Sequence, residues 1–251
     1  MALKRRLRLW AERVAKVSIY RTRPRGMDVA VDIGEALPGH HIEIVFDVGA
    51  NVGQSAERFL SAFSGSRIYC FEPVQATFCR LQASLKGNDR IQCFRLALGS
   101  ANGQGRMALQ GPSEMRFLLP TASLVAKDNA RSEVVEIATL DQFCDERKII
   151  AIDYLKIDTE GGDLAVLEGA RGMLDAQRID FVEVEAGMNA VNARHVPFEI
   201  LKSHLEAREY LLFGIYDQVH EWPTGEPHLR RTNSVFISRR MVEAHAKPKH
   251  D

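Results

Sequence analysis

Ile44-Val45-Phe46-Asp47-Val48-Gly49-Ala50-Asn51-Val52-Gly53-Gln54 is the stretch on which the reading of this chain turns. A short apolar run enters a turn with two glycines and leaves it in a helical stretch, which spells strand, tight turn, helix. Glycine lets backbone approach a ligand closely and take conformations closed to other residues, so such a turn suits a nucleotide site at a strand end. The spacing narrows the ligand. It is Asp-x-Gly-x-x-x-Gly, which fits neither the GxGxxG of dinucleotide folds nor a P-loop. About two dozen residues after Asp47, Glu72 ends a second strand, Arg67-Ile68-Tyr69-Cys70-Phe71-Glu72, where an acidic side chain can accept hydrogen bonds from both hydroxyls of a ribose. Together the turn and Glu72 favour an adenosine ligand.

Outward from this stretch the pattern alternates. Helices are expected at 54–63 and 76–85 and a third strand at 91–98, a βαβαβ order that implies a parallel sheet covered on both faces. From Gly99 to Leu140 the rhythm breaks into a hairpin-like excursion, either a wall of a substrate pocket or a plain surface insertion. Alternation resumes with strands at 154–158 and 181–185 and helices at 164–175 and 197–207. Strands at 210–216 and 234–238 lack a long intervening helix and are expected to form an antiparallel edge pair.

The 251 residues suit one α/β domain, and the composition, 45% apolar and 26% charged, is that of a globular protein. A net charge of zero argues against a nucleic-acid binder that relies on a global positive field. The charge is nevertheless uneven: Lys4, Arg5, Arg6, Arg8, Arg13, Lys16, Arg21, Arg23 and Arg25 stand against Glu12 alone. Leu3, Leu7, Trp10, Val14 and Val17 fall on one helical face of this arm. The stripe either packs on the body or a second subunit, making a homo-oligomer, or attaches the protein to an anionic membrane or acidic partner. The expected organisation is a basic helix and linker at 1–43, a catalytic domain at 44–240 and a tail at 241–251. With no bilayer-length apolar run and no signal peptide, a cytoplasmic protein with peripheral membrane contact is expected. Cys70, Cys79, Cys93 and Cys144 form no CxxC pair and read as reduced thiols.

Five motifs in order carry a resemblance: Val45 to Gly53, Phe71-Glu72-Pro73, Leu96-Ala97-Leu98-Gly99, Thr139-Leu140-Asp141, and Leu155-Lys156-Ile157-Asp158-Thr159-Glu160-Gly161. With Asn233-Ser234-Val235-Phe236-Ile237 at the end, the chain from about Ile44 to Ile237 resembles the FkbM family of methyltransferases. The resemblance implies the class I methyltransferase fold, a Rossmann-like, doubly wound, mostly parallel sheet of seven strands ordered 3-2-1-4-5-7-6, with S-adenosylmethionine as cofactor. Carried over, Asp47, Gly49, Asn51 and Gly53 would surround the methionine part, Glu72 the ribose, and Ala97 and Leu98 the adenine, with Ala50, Gln54, Pro73 and Asp158 also at the cofactor. It implies O-methylation of a saccharide, polyketide or lipid-linked acceptor.

A methyl sulfonium already carries a good leaving group, so the protein's tasks are to align an acceptor and manage its proton. Period-two geometry puts Lys156, Asp158 and Glu160 on one face and likewise Glu183 and Glu185. Lys156 and Glu183 are expected to pair across adjacent strands. That leaves Asp158, Glu160 and Glu185 at the strand ends to orient a hydroxyl, accept its proton or hold Mg²⁺, although no metal ligand is assigned; alternatively they cap the Gly161-Gly162 turn. His195 is a further candidate base, with His220, Trp222 and Ser123 as weaker contacts and His40-His41 assigned to the linker. Two other readings are a cofactor-binding scaffold without activity, recruited by its basic helix, and a nicotinamide-dependent oxidoreductase. The missing third glycine counts against the second, and fold alone does not decide the first.

Overall fold

The computed structural model describes residues 2–18, 20, 22–109, 132–189, 192, 194–221 and 224–246, with backbone alone at 2–5 and 7–9. The elements that build the main sheet are β1 (Ile44–Val48), β2 (Arg67–Phe71), β3 (Ile91–Phe94), β7 (Ile152–Ile157), β8 (Ile179–Gly187), β9 (Tyr210–His220) and β10 (Leu229–Ser238). Between β3 and β7 lie β4 (Ala97–Leu98), β5 (Gly103–Ala108) and β6 (Ser132–Ala138). The helices are α1 (Ala2–Ala15), α2 (Val29–Ala36), α3 (Gln54–Ala62), α4 (Gln75–Ser84), α5 (Leu140–Arg147), α6 (Asp163–Gly169), α7 (Arg171–Asp175), α8 (Phe198–Glu206) and α9 (Arg239–Ala244).

The main sheet runs β3-β2-β1-β7-β8-β10-β9. Numbered in chain order within this sheet alone, that is 3-2-1-4-5-7-6. The first five strands pair in parallel, and β10 is antiparallel to both β8 and β9. β10 alone therefore runs against the other six strands. Successive residues point to opposite faces. Phe46, Val48, Leu155, Ile157, Val182 and Val184 accordingly enter a core under α5 to α8, while Val45, Tyr154, Phe181 and Val235 enter a second core with Phe59 of α3, Leu81 of α4 and Ile33 of α2. A sheet sandwiched in this way buries its central strands on both faces, as their near-continuous apolar sequence requires.

Three departures from the sequence reading have local causes. The segment after β3 is a second sheet ordered β4-β6-β5, in which the antiparallel β5–β6 pair is joined by the parallel β4–β6 pair. The expected third strand is thus divided: residues 91–94 stay in the main sheet and Ala97–Leu98 cross to the small one. The region assigned to linker contains α2, whose N-cap Asp28 accepts hydrogen bonds from the amides of Ala30 and Val31 at 3.0 and 3.2 Å. In the region assigned to tail, α9 starts at a Ser238 cap and buries Met241.

Candidate active site

The β1–α3 turn is shaped by backbone. Gly49 and Ala50 both donate their amides to the Phe71 carbonyl, at 3.0 and 2.9 Å, which folds the turn across the end of β2. Gly49 has φ +81°, and a Cβ there would lie 2.0 Å from the Asp158 carbonyl oxygen, so no other residue fits between the β1 and β7 ends. Glu72, buried, turns back so that one carboxylate oxygen accepts the Val74 amide at 2.9 Å.

These elements open onto one cavity of about 640 Å³ at the carboxyl ends of the central strands, the location that open α/β sheets use for ligands. Gly49, Ala50, Asn51, Gln54, Glu72, Pro73, Ala97 and Leu98 all line it. Asp47 and Gly53 do not: Asp47 is wholly buried beneath the turn, and Gly53 faces the Leu81 and Leu85 side chains. The small sheet forms a wall through residues 99–104, Met107 and Ile137. It is pinned to the body where Glu133 accepts the Gln75 amide at 2.9 Å and Asn102 accepts the Thr139 amide at 2.8 Å. Ser123 and Trp222 lie outside the described residues; His220 ends β9, exposed and off the cavity wall.

The opposite end of the cavity is lined by Lys156, Asp158, Glu160, Glu185, Asp217, Val219, Arg231 and Asn233. Lys156 does not pair with Glu183 as expected. Its Nζ lies 3.1 Å from Asp158 and 3.5 Å from Asp47. The physical reason is competition among donors. Glu183 already accepts from the Tyr154 hydroxyl at 2.5 Å and from Asn233 at 2.8 Å, whereas the carboxylate oxygens of Asp47 have no hydrogen-bond donor among the described residues, which leaves Lys156 as their counter-charge. Burial alone would lower the Lys156 pKa, but Asp158, Asp47 and Glu183 hold the ammonium well above the usual lysine range. Burial likewise pushes Asp158 up, yet Lys156, Arg231 and His195 outweigh it and keep its carboxyl below the ordinary value.

Glu160 behaves in the opposite way. Burial, then the neighbouring Glu185 and Asp158 charges, push its carboxyl up to about 7. Its backbone is left-handed at φ 55°, a conformation costly for a residue with a Cβ. The following Gly161, at φ +107°, packs so tightly on the His195 loop that a Cβ would sit 2.5 Å from the Arg194 carbonyl oxygen. Arg194 lies 3.6 Å from Glu160. The acid that ties this turn is Asp163, which accepts the amides of Thr159 and Gly161 at 3.4 and 3.2 Å. Asp158 and Glu160 therefore face the cavity rather than capping the turn.

Behind Glu160 the side chains form a buried relay. The Asn192 amide nitrogen donates to the Arg230 carbonyl, which directs its oxygen to His195 Nδ1 at 3.0 Å. His195 Nε2 is thereby aimed at Glu185, 2.7 Å away, and lies 3.9 Å from Glu160. Arg231 binds the other oxygen of Glu185. His195 is buried and does not line the cavity, so it reaches the site through Glu185 and Glu160. Glu160, Glu185 and His195 present ligand atoms within 4.8 Å of one another, a spacing that could hold a metal ion. The two guanidinium groups beside them already supply positive charge. Arg231, Asn233 and Asp217 were not foreseen from sequence.

Residues 47–218 match the model of the Methyltransferase FkbM domain. The chain belongs to the FkbM methyltransferase family. Among curated relatives it is similar to 2-O-methyltransferase NoeI of Sinorhizobium fredii (strain NBRC 101917 / NGR234), 26% identical over 151 residues. That alignment takes in 56% of this chain and 62% of the relative, so the match spans less than two-thirds of NoeI. Among solved structures, M. capricolum TrmK in complex with S-adenosyl-homocysteine aligns with TM-score 0.46 and 12% identity, over 86% of this chain and 70% of that one. Aeropyrum pernix fibrillarin with natively bound S-adenosyl-L-methionine aligns with TM-score 0.43 and 14% identity, over 80% and 69%.

The lining suits S-adenosylmethionine, the cofactor that the family resemblance implies. The glycine turn admits close backbone approach, Glu72 offers a carboxylate for ribose hydroxyls, and Ala97 and Leu98 give an apolar edge for a base. Asp158, Glu160 and Glu185 would lend negative charge to a sulfonium bound beside them.

Proposed function

We propose that this protein transfers a methyl group to a hydroxyl oxygen of a saccharide or another hydroxyl-rich acceptor, polyketide or lipid-linked molecules included. S-adenosylmethionine, when bound, supplies an electrophilic methyl on a positively charged sulfur. The observation that carries the reading is Glu160: a carboxyl pushed up to about 7, on the wall of the cavity that also holds the glycine turn and Glu72. A base is most effective when its pKa lies near the working pH, and Glu160 meets that condition whereas Asp158, held ionised by Lys156, is a weak base. Glu160 would accept the acceptor's proton and become neutral, a form that burial and the neighbouring Glu185 charge favour. Asp158, Asp217 and Asn233 would orient hydroxyls, and Arg231 would hold Glu185 in place. The donors and acceptors on this wall suit a polyol better than an apolar acceptor.

Calorimetric titration with S-adenosylmethionine, S-adenosylhomocysteine and NAD tests the first step, and methyl transfer to a panel of sugars tests the second. Saturable binding of both sulfur nucleosides with methyl transfer to sugar hydroxyls is expected. Binding of NAD alone would move the protein to oxidoreductases, and failure of the well-folded protein to bind either sulfur nucleoside would leave only a scaffold.

A further inference from the structure

Two apolar side chains of α1 stand in solvent: Trp10 and Val14, 66% and 64% exposed and one turn apart, share a helical face, and Val17, just past the end of the helix, is 52% exposed. Leu3 and Leu7 continue the same spacing in the sequence. Between these positions stand Lys4, Arg5, Arg6, Arg8, Arg13 and Lys16, with Glu12 the one acid. Exposed tryptophan and valine are costly in water, and a dense positive charge on the same helix repels a second copy of itself. The residues from 26 onward carry 24 basic and 32 acidic side chains, so the positive charge is confined to this arm.

We infer that α1 is an interfacial helix that docks the protein on an anionic lipid bilayer. An apolar stripe with tryptophan, flanked by arginine and lysine, matches both halves of such a surface: acyl chains below and phosphate headgroups beside it. No helix among the described residues is long and apolar enough to cross a membrane, so the contact is peripheral. The arm joins the domain at a defined place. The Gly26 amide donates to Asp32 at 2.7 Å, and Asp32 accepts the Tyr216 hydroxyl at 2.9 Å. Tyr216 precedes Asp217, which lines the acceptor end of the cavity. A bilayer gripped by α1 therefore lies within a short linker's reach of the acceptor end, about 3.3–3.6 Å per extended residue.

The full chain is mixed with vesicles of phosphatidylcholine alone and of an equal mixture of phosphatidylcholine and phosphatidylglycerol, then sedimented, with Trp10 fluorescence read in parallel. Expected are binding to the anionic vesicles, little to the neutral ones, and a blue shift that Trp10→Phe abolishes. Arg6→Gln with Arg13→Gln weakens binding roughly 30-fold, from about 1 kcal/mol per basic residue at the surface. Trp10→Ser with Val14→Ser also weakens it without changing the far-ultraviolet circular dichroism, because both side chains face solvent. Equal sedimentation by these variants, equal binding to both vesicle types, or a dimer in sedimentation velocity that Trp10→Ser dissociates, overturns the inference. None of these readouts depends on methyl transfer, so failure here leaves the proposed reaction untouched.

Discussion

The cofactor end of the cavity is drawn from two short contiguous stretches, residues 47–54 and 71–73, with a narrow contribution from 96–104, and it is shaped mainly by backbone. The acceptor end is drawn from the ends of β7, β8, β9 and β10, with the His195 loop behind them, and it is held by charged side chains that meet only in the folded chain. At the first end, conformation is the constraint: Gly49 must be glycine because the Asp158 carbonyl occupies the space of a Cβ. At the second, charge is the constraint, since Asp47, Glu183 and Glu185 are each under 6% exposed and depend on Lys156, on Tyr154 and Asn233, and on His195 and Arg231 respectively. Damage to the first end should read out as lost affinity, and damage to the second as lost turnover or lost stability.

The largest effect is expected from Lys156→Met, which leaves the buried Asp47 carboxylate without its counter-charge and should lower unfolding free energy by about 3–5 kcal/mol. Denaturant unfolding measures it, and a loss below 1 kcal/mol would mean that Asp47 is neutral in the native state. Next, Glu160→Gln should reduce kcat roughly 100-fold or more with little change in the calorimetric affinity for S-adenosylmethionine. In the parent protein kcat should rise with pH around a midpoint of about 7, because the base acts when ionised, and that limb should vanish in the variant.

The same group has a stability signature of opposite sign. Its folded-state pKa lies above the ordinary 4.5, so the folded state holds the proton more tightly. This contribution favours folding in acid and is lost as pH rises from 4.5 through 7. Glu160→Gln should flatten that part of the stability profile. At the cofactor end, Glu72→Ala should weaken S-adenosylmethionine binding roughly 10–100-fold, as expected for loss of hydrogen bonds to a charged group, with kcat at saturation near that of the parent. Equal losses in kcat and affinity would erase the distinction between the two ends. The smallest effect is Thr139→Ala, which removes the α5 N-cap bond to the Gln142 amide and should cost about 1 kcal/mol of stability while leaving both ends of the site unaltered.

The two ends also differed in how far the sequence disclosed them. The glycine turn and Glu72 were visible because strand, turn and acid are adjacent in the chain and carry their own spacing. Asp158, Glu160 and Glu185 were visible through period two and their place at strand ends. Arg231, Asn233 and Asp217 were not, because a polar residue in a late strand has no local mark until the register of β10 against β8 sets Asn233 opposite Glu185. The partner of Lys156 was misjudged for a related reason. Register alone puts it beside both Asp47 and Glu183, and only the Tyr154 and Asn233 bonds to Glu183 decide between them. The second sheet stayed hidden because a two-residue strand such as Ala97–Leu98 has no period to read. A legible signal was passed over at Asp28, whose capping chemistry precedes α2.

β10 lies between β8 and β9, although it follows both in the chain. During synthesis β8, already paired with β7, keeps an open edge and β9 has no neighbour in the sheet until residues 229–238 emerge, and Arg231 and Asn233 reach the cavity with that strand. A ribosome-bound fragment lacking it would already contain the glycine turn and Glu72. It would have an open sheet edge and an incomplete acceptor wall, so quality control by chaperones and proteases would meet a half-built enzyme able to grip its nucleoside before it could direct the methyl group anywhere.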